Sequence, residues 1–170
     1  MKKSTKKLTV SAILCAICVV IMIIGSVFEV MDLSVAAICS FAVLFSVIEL
    51  GGFYPVAIWI VVSVLGSVVL PVKLPAVYFS LFFGWYPILK AFSERHSILL
   101  RLLIKIFACV ASLFVILQIT RIFFPEELTQ SYEILLYPLC VAVFLLYDVA
   151  MSRIKNAYLR TWKRRLGIRI

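Results

Sequence analysis

Long apolar segments separated by short breaks run along almost the whole chain. Each has at least roughly 18 residues, enough for an α-helix to cross the hydrocarbon core of a bilayer. A bilayer offers no water to the backbone amides, so segments that cross it must be helical. The pattern predicts six spans, which are Leu8–Val30, Leu33–Leu50, Phe53–Leu70, Pro75–Phe92, Ile98–Phe124 and Ile134–Ile154.

Glycine, proline and charged residues mark the breaks between these segments. Gly51-Gly52 is a helix-ending signal after the second segment, and Pro125-Glu126-Glu127 ends the fifth. Within the fourth segment, Pro87 has no amide hydrogen to donate, and its ring clashes with the carbonyl of Phe83. The sequence therefore predicts a kink at Gly84-Trp85-Tyr86-Pro87.

The composition agrees with a membrane protein and excludes most soluble classes. Apolar residues make up 65% of the 170 residues, and charged residues make up 15%. Soluble domains carry roughly 45–50% apolar and about 25% charged residues. A soluble enzyme, a nucleic-acid binder and a disordered chain are thereby excluded. The predicted fold is all-α: residues 1–154 form a bundle of six transmembrane helices, and residues 155–170 form a basic, amphipathic cytoplasmic tail.

The net charge of +9 has the distribution of a topology signal. Of the 17 Lys and Arg residues, 15 lie in the N-terminal segment, around the loop after the fourth span, or in the tail. Only Lys73 and Arg121 lie on the opposite side. Because cytoplasmic loops carry the excess of Lys and Arg, both termini are predicted to be cytoplasmic in a multi-pass protein of the cell membrane.

No residue set in the chain indicates catalysis, a metal centre or a cofactor. The single histidine, His96, lies in a predicted cytoplasmic loop, and all five cysteines fall inside apolar runs. These cysteines are therefore expected to be small buried hydrophobic residues. The chain also has no P-loop, so any ATP energy must come from a partner. We predict that the protein is not an enzyme.

Several charged residues lie near the cytoplasmic ends of the predicted spans, where charge is costly. They are Glu49, Lys90, Arg101, Lys105 and Asp148. One interpretation is an ion or proton relay. The favoured interpretation is pairing between helices, with Asp148 or Glu49 bound to one of the basic residues.

A second polar group lies toward the predicted outer side. It consists of Lys73, Gln118, Arg121, Tyr132 and Tyr137. These residues could form a substrate-binding pocket between the fourth, fifth and sixth helices. The alternative is an ordinary belt of interfacial aromatic and charged side chains.

The tail has an apolar stripe, since Ile154, Tyr158, Trp162 and Leu166 recur every four residues. Basic residues fill much of the remainder, and those predicted to contact anionic lipid are Arg160, Lys163, Arg164 and Arg165. This pattern predicts either a continuation of the sixth helix or an amphipathic segment lying on the anionic inner leaflet. Docking on a soluble partner is the alternative.

The segment Ala12-Ile13-Leu14-Cys15-Ala16 places two small residues one turn apart, a spacing that lets helices approach closely. Lys-Lys-Leu-Thr-Val-Ser precedes it. With six predicted helices and both ends inside, the chain resembles the substrate-binding S components of energy-coupling factor transporters. In that family, an Ala-x-x-x-Ala surface on the first helix packs against a membrane scaffold subunit shared with two cytoplasmic ATPases.

The resemblance implies a small-molecule binding and uptake subunit that depends on an external ATPase module. It further implies that Ala12 and Ala16 form the face for the scaffold. The alternative from a different class is a non-transporting membrane protein that acts as a scaffold, assembly or lipid-surface factor through its basic tail. Neither alternative involves nucleic acid.

Overall fold

The computed structural model describes residues 3–27, 32–93 and 130–162, together with residues 104–108, 110, 111, 114 and 118. The regular structure of these residues is entirely helical and includes no strand, which confirms the all-α prediction. The contacts divide the chain into two units. The first contains the described residues up to Ser93, and the second contains those from Ile104 to Trp162.

Three long helices open the chain: α1 Lys3–Val27, α2 Asp32–Glu49 and α3 Tyr54–Val69. They follow the first three predicted segments closely, although α1 begins earlier than expected. In the described part of the chain, Ser4–Val27 and Asp32–Glu49 are long and apolar enough to cross a membrane, and Tyr54–Val69 is a shorter apolar helix. The arrangement of six spans stays a prediction.

The predicted break after the second segment is confirmed at Gly51 and Gly52. Their φ angles are 61° and 59°, in the left-handed region that side chains other than glycine enter at a cost. Two consecutive residues of this kind end α2 and reverse the chain within a few positions. Helix α3 then begins with Pro55 in its first turn, where the missing amide hydrogen is not needed.

The fourth segment forms α4 Leu74–Tyr78, a π-helical turn Phe79–Phe83 and α5 Tyr86–Ser93. In the π turn, the amide of Gly84 donates to the carbonyl of Phe79 at 2.7 Å, one residue further back than in an α-helix. The predicted irregularity is therefore present, but it begins ahead of Pro87 rather than at the proline.

Small residues bring α1 and α2 together in the first unit. The thiol of Cys18 lies 3.8 Å from the carbonyl oxygen of Cys39, and the thiol of Cys39 lies 3.5 Å from the carbonyl oxygen of Cys18. A Cβ atom on Gly25 would stand 2.3 Å from the side chain of Val35. Since the end of α1 meets the start of α2, the two helices are antiparallel.

The second unit contains α6, the longest helix in the described part of the chain, which runs from Gln130 to Ala157 with Pro138 inside it. It exceeds the predicted span Ile134–Ile154 at both ends and continues into a π-helical turn, Tyr158–Trp162. Among its described side chains, Phe144, Tyr147 and Met151 are apolar and buried. No helix end marks the predicted boundary between residues 154 and 155.

Candidate functional site

Helix α1 has two different faces. The face toward α2 and α3 carries Ser11, Cys15, Cys18 and Met22, all of them buried. Beside this buried face, Ala12 and Ala16 are exposed. The two alanines that the sequence singled out as a partner face are therefore exposed, while α2 and α3 pack on a different side of α1.

Larger apolar side chains surround the two alanines on this outer surface. Ile13, Ile17, Val20 and Ile24 are all exposed. Because alanine has only a methyl group, the surface is lower at Ala12 and Ala16 than at the isoleucines beside them. A second helix could approach the backbone of α1 closely along this line. We call the surface formed by Ala12, Ile13, Ala16 and Ile17 the α1 outer face.

The N-terminal end of α1 is hydrogen-bonded to the turn between α2 and α3. The ammonium group of Lys7 donates to the carbonyl oxygen of Leu50 at 2.8 Å and lies 5.9 Å from the centre of the Tyr54 ring. The last carbonyl groups of a helix lack partners within the helix and carry partial negative charge. Lys7 therefore stabilises the end of α2 and places this turn at the same end of the bundle as the N-terminus.

Two shallow clefts lie on this part of the first unit. One, of about 250 Å³, is lined by residues that include Gly51, Gly52 and Ala91. The other, of about 270 Å³, is lined by residues that include Trp59 and Trp85. Neither cleft is predicted by the sequence, because both depend on how α3 and α5 pack against α2. The exposed Gly51-Gly52 turn was the sequence signal nearest to them.

The buried charged residues are paired rather than isolated where the structure gives their contacts. In the second unit, the ammonium group of Lys105 lies 2.6 Å from a carboxylate oxygen of Asp148. The predicted pairing of Asp148 with a basic residue is thereby confirmed. In the first unit, Glu49 and Lys90 are buried on α2 and α5, which pack together, and neither lacks an interaction partner.

Replacing Asp148 with Asn should lower the free energy of unfolding, because it leaves the Lys105 cation without its counter-charge. We expect about 1–3 kcal/mol, less than the ~3–5 kcal/mol of a fully buried pair, because the Lys105 side chain is 35% exposed. Thermal unfolding in detergent measures the loss. The double variant Asp148→Asn, Lys105→Met removes both charges and should recover most of it. An equal loss in both variants would show that the pair does not matter for stability.

The residues of the predicted outer pocket are only partly described. Lys73 is exposed at the start of α4, and Gln118 is exposed in a helical segment. Tyr132 and Tyr137 belong to α6, but their side chains lie outside the described part of the structure, and so does the whole of Arg121. The predicted pocket therefore lies largely outside the described residues and stays a prediction.

The basic tail residues are also only partly described by the structure. Arg160 is exposed on the π-helical turn at the end of α6. Lys163, Arg164 and Arg165 lie outside the described residues. Tyr158 is half-buried, whereas Ile154 is 44% exposed, so these two members of the expected apolar stripe differ in their surroundings.

Within the described ranges, no group of three or more His, Cys, Asp or Glu side chains could hold a metal ion. The described cysteines Cys15, Cys18 and Cys39 are free thiols, and all three are buried. Comparisons with protein-family models, curated proteins and solved structures found no match. The function is therefore inferred from the chain's own residues.

Proposed function

We propose that the chain is a multi-pass membrane protein with six spans and both termini in the cytoplasm. Large apolar side chains on three helices support this: Val27 of α1 is 69% exposed, Val68 of α3 is 77% exposed and Leu146 of α6 is 70% exposed. Monomeric soluble proteins rarely expose large contiguous apolar patches. In a bilayer, such side chains face lipid at no cost.

The lengths of the helices fit the same proposal. At about 1.5 Å per residue, the 25 residues of α1 measure roughly 38 Å and the 18 residues of α2 roughly 27 Å. The hydrocarbon core is about 30 Å thick. Helix α6, with 28 residues, measures roughly 42 Å, so its end would extend beyond the core.

Within this class, the function best supported is that of a small-molecule uptake subunit that docks on a membrane scaffold served by cytoplasmic ATPases. The observation that carries it is the α1 outer face, where Ala12 and Ala16 are exposed while the side of α1 toward α2 and α3 is buried. Lipid gains nothing from small residues, whereas a partner helix gains close backbone contact. The resemblance to S components supplies the identity of the partner.

Purification from the native membrane in mild detergent, followed by mass spectrometry, tests the proposed function. We expect one integral membrane scaffold subunit and two ATPases to copurify, together with a bound small molecule. A chain that purifies with neither subunits nor small molecule would contradict the uptake function.

The predicted pocket has a test of its own once the small molecule is known. Arg121 is one of only two basic residues on the predicted outer side, so it should bind an anionic or aromatic ligand with Tyr132 and Tyr137. Arg121→Ala should then reduce the thermal stabilisation that the ligand gives, without changing expression. Unchanged stabilisation would show that Arg121 is only an interfacial anchor.

A non-transporting lipid-surface factor is the second candidate. The observation that favours it is the continuation of α6 as far as Trp162, beyond the predicted span, with Arg153 and Arg160 exposed on it. Basic residues near an anionic leaflet contribute about 1 kcal/mol each. The same purification separates the candidates, because this function requires bound anionic lipid but no ATPases and no transported molecule.

A further inference from the structure

The fourth segment consists of two short helices joined at a break. Helix α4 and helix α5 are separated by the π-helical turn Phe79–Phe83 and by Gly84-Trp85. The break lies near the middle of the predicted span Pro75–Phe92. Among the described elements, α4 packs against α1, α2 and α3, whereas α5 packs chiefly against α2. Helix α5 is therefore the less firmly held of the two.

A side chain from α3 replaces a backbone hydrogen bond at the break. In a continuous α-helix, the amide of Gly84 would donate to the carbonyl of Ser80. Here that amide donates to the carbonyl of Phe79 at 2.7 Å, and the Ser80 carbonyl accepts the indole N–H of Trp59 at 3.1 Å. A neighbouring helix can satisfy a backbone group in this way at a break within the membrane.

The residues after the break leave α5 able to turn as a unit. Pro87 has no amide hydrogen, so it adds no helical hydrogen bond back across the break. Helix α5 begins its own bonding at once, because the amide of Leu89 donates to the carbonyl of Trp85 at 3.0 Å. The Trp59 ring lies so close to Gly84 that a Cβ atom there would stand 2.2 Å from it. Trp59 therefore fixes the angle of the break from α3.

The cytoplasmic ends of α2 and α5, two helices that pack together, carry buried polar side chains. Ser46 and Glu49 are buried on α2, and Lys90 and Ser93 are buried on α5. The hydroxyl of Ser46 has no hydrogen-bond partner, although the residue is fully buried. We call these four residues the polar seam. Polar and charged groups regain hydration when water reaches them, so this seam opens at a lower cost than an apolar contact.

We propose that α5 is a cytoplasmic gate that turns about Gly84 and separates from α2 along the polar seam. The bond from Trp59 to Ser80 holds the gate closed. This inference rests on the proposed uptake function, because a molecule taken up from outside must leave the protein on the cytoplasmic side. The predicted orientation places the end of α5 on that side. Helices broken near the middle of the membrane, and motion of one part of a bundle against another, are common in transporters.

Cysteine accessibility tests the gate on the full chain in inside-out membrane vesicles. Ser46→Cys introduces a thiol in the polar seam. Ser40→Cys is the matched control, because Ser40 is also fully buried on α2 but lies outside the seam. A charged methanethiosulfonate reagent modifies only thiols that water reaches, and peptide mass spectrometry assigns the label to the introduced cysteine. We expect Ser46→Cys to react about tenfold faster than Ser40→Cys, because local opening exposes only the seam.

Trp59→Phe keeps an aromatic ring at this position but removes the indole donor. The closed state then loses a hydrogen bond, so modification of Ser46→Cys should become about tenfold faster. Modification of Ser40→Cys should stay unchanged. If Trp59→Phe prevents folding, the comparison of the two serine positions in the chain that retains Trp59 still tests the gate.

Equal modification rates at the two serine positions, with or without Trp59→Phe, would overturn the proposal because α5 would then stay packed on α2. A rate that rises equally at both positions in Trp59→Phe would also overturn it, since the whole bundle would have loosened. Selective modification of Ser46→Cys in a chain that copurifies with no scaffold would confirm that α5 opens and would contradict the uptake function.

Discussion

Replacing Ala12 and Ala16 together with Leu is expected to abolish copurification of the membrane scaffold while leaving the melting temperature unchanged. Both alanines are exposed on α1, so the added side chains meet no other described helix of the first unit. In the complex they would hold the partner helix away from the α1 backbone. Affinity purification with quantitative mass spectrometry measures the loss of the partner, and thermal unfolding measures the stability.

Val20→Leu with Ile24→Leu is the matched control for this pair. Both residues are exposed on the same side of α1, and each substitution replaces one large apolar side chain with another. The control should retain the scaffold. If instead the alanine pair lowers the melting temperature and the scaffold is retained, the α1 outer face packs within the chain. The uptake-subunit proposal would then lose its main support.

The second large effect is expected at Gly84. A Cβ atom there would stand 2.2 Å from the indole ring of Trp59 and 2.9 Å from the carbonyl oxygen of Phe79. The Trp59 indole is held by its hydrogen bond to the carbonyl oxygen of Ser80, and the Phe79 carbonyl already accepts a hydrogen bond from the Gly84 amide. Gly84→Ala should therefore destabilise the first unit by about 3 kcal/mol, at the upper end of overpacking effects.

Two comparisons show whether this loss comes from crowding. Gly52→Ala has open space around the new methyl group, so it should cost only the strain of a positive φ, roughly 1–2 kcal/mol. Trp59→Ala combined with Gly84→Ala should lose less than the sum of the two single variants, because the clash is gone. Additive losses of unfolding free energy would show that the cost of Gly84→Ala does not come from a clash with Trp59.

The regular part of the fold was predictable from local pattern. Uninterrupted apolar runs predicted α1, α2 and α3, and the pair Gly51-Gly52 predicted the turn between the last two. The π-helical turn Phe79–Phe83 was not predictable, and neither was the contact between Gly84 and Trp59, which belongs to another helix. Only the packed structure shows that contact. Pro87 predicted an irregular helix, but the sequence does not show at which residues the backbone hydrogen bonds change to the π-helical spacing.

The same distinction applies to the candidate sites. The pairing of Asp148 followed from the cost of an unpaired charge near lipid, although Lys105 was one of several possible partners. The exposure of Ala12 and Ala16 could not be predicted, because small residues favour close packing against any helix, including one of the same chain. The two clefts of the first unit depend on how α3 and α5 pack against α2, which no motif in their sequences indicates.

The central claim is a six-span protein with both termini inside, and topology reporters test it most directly. Fusions after Ile170 and within residues 93–97 should be active in the cytoplasm, and a fusion near Thr129 should be active outside. This follows from the 15 Lys and Arg residues on one side and the 2 on the other. A reporter at Thr129 that is active in the cytoplasm would contradict the six-span arrangement.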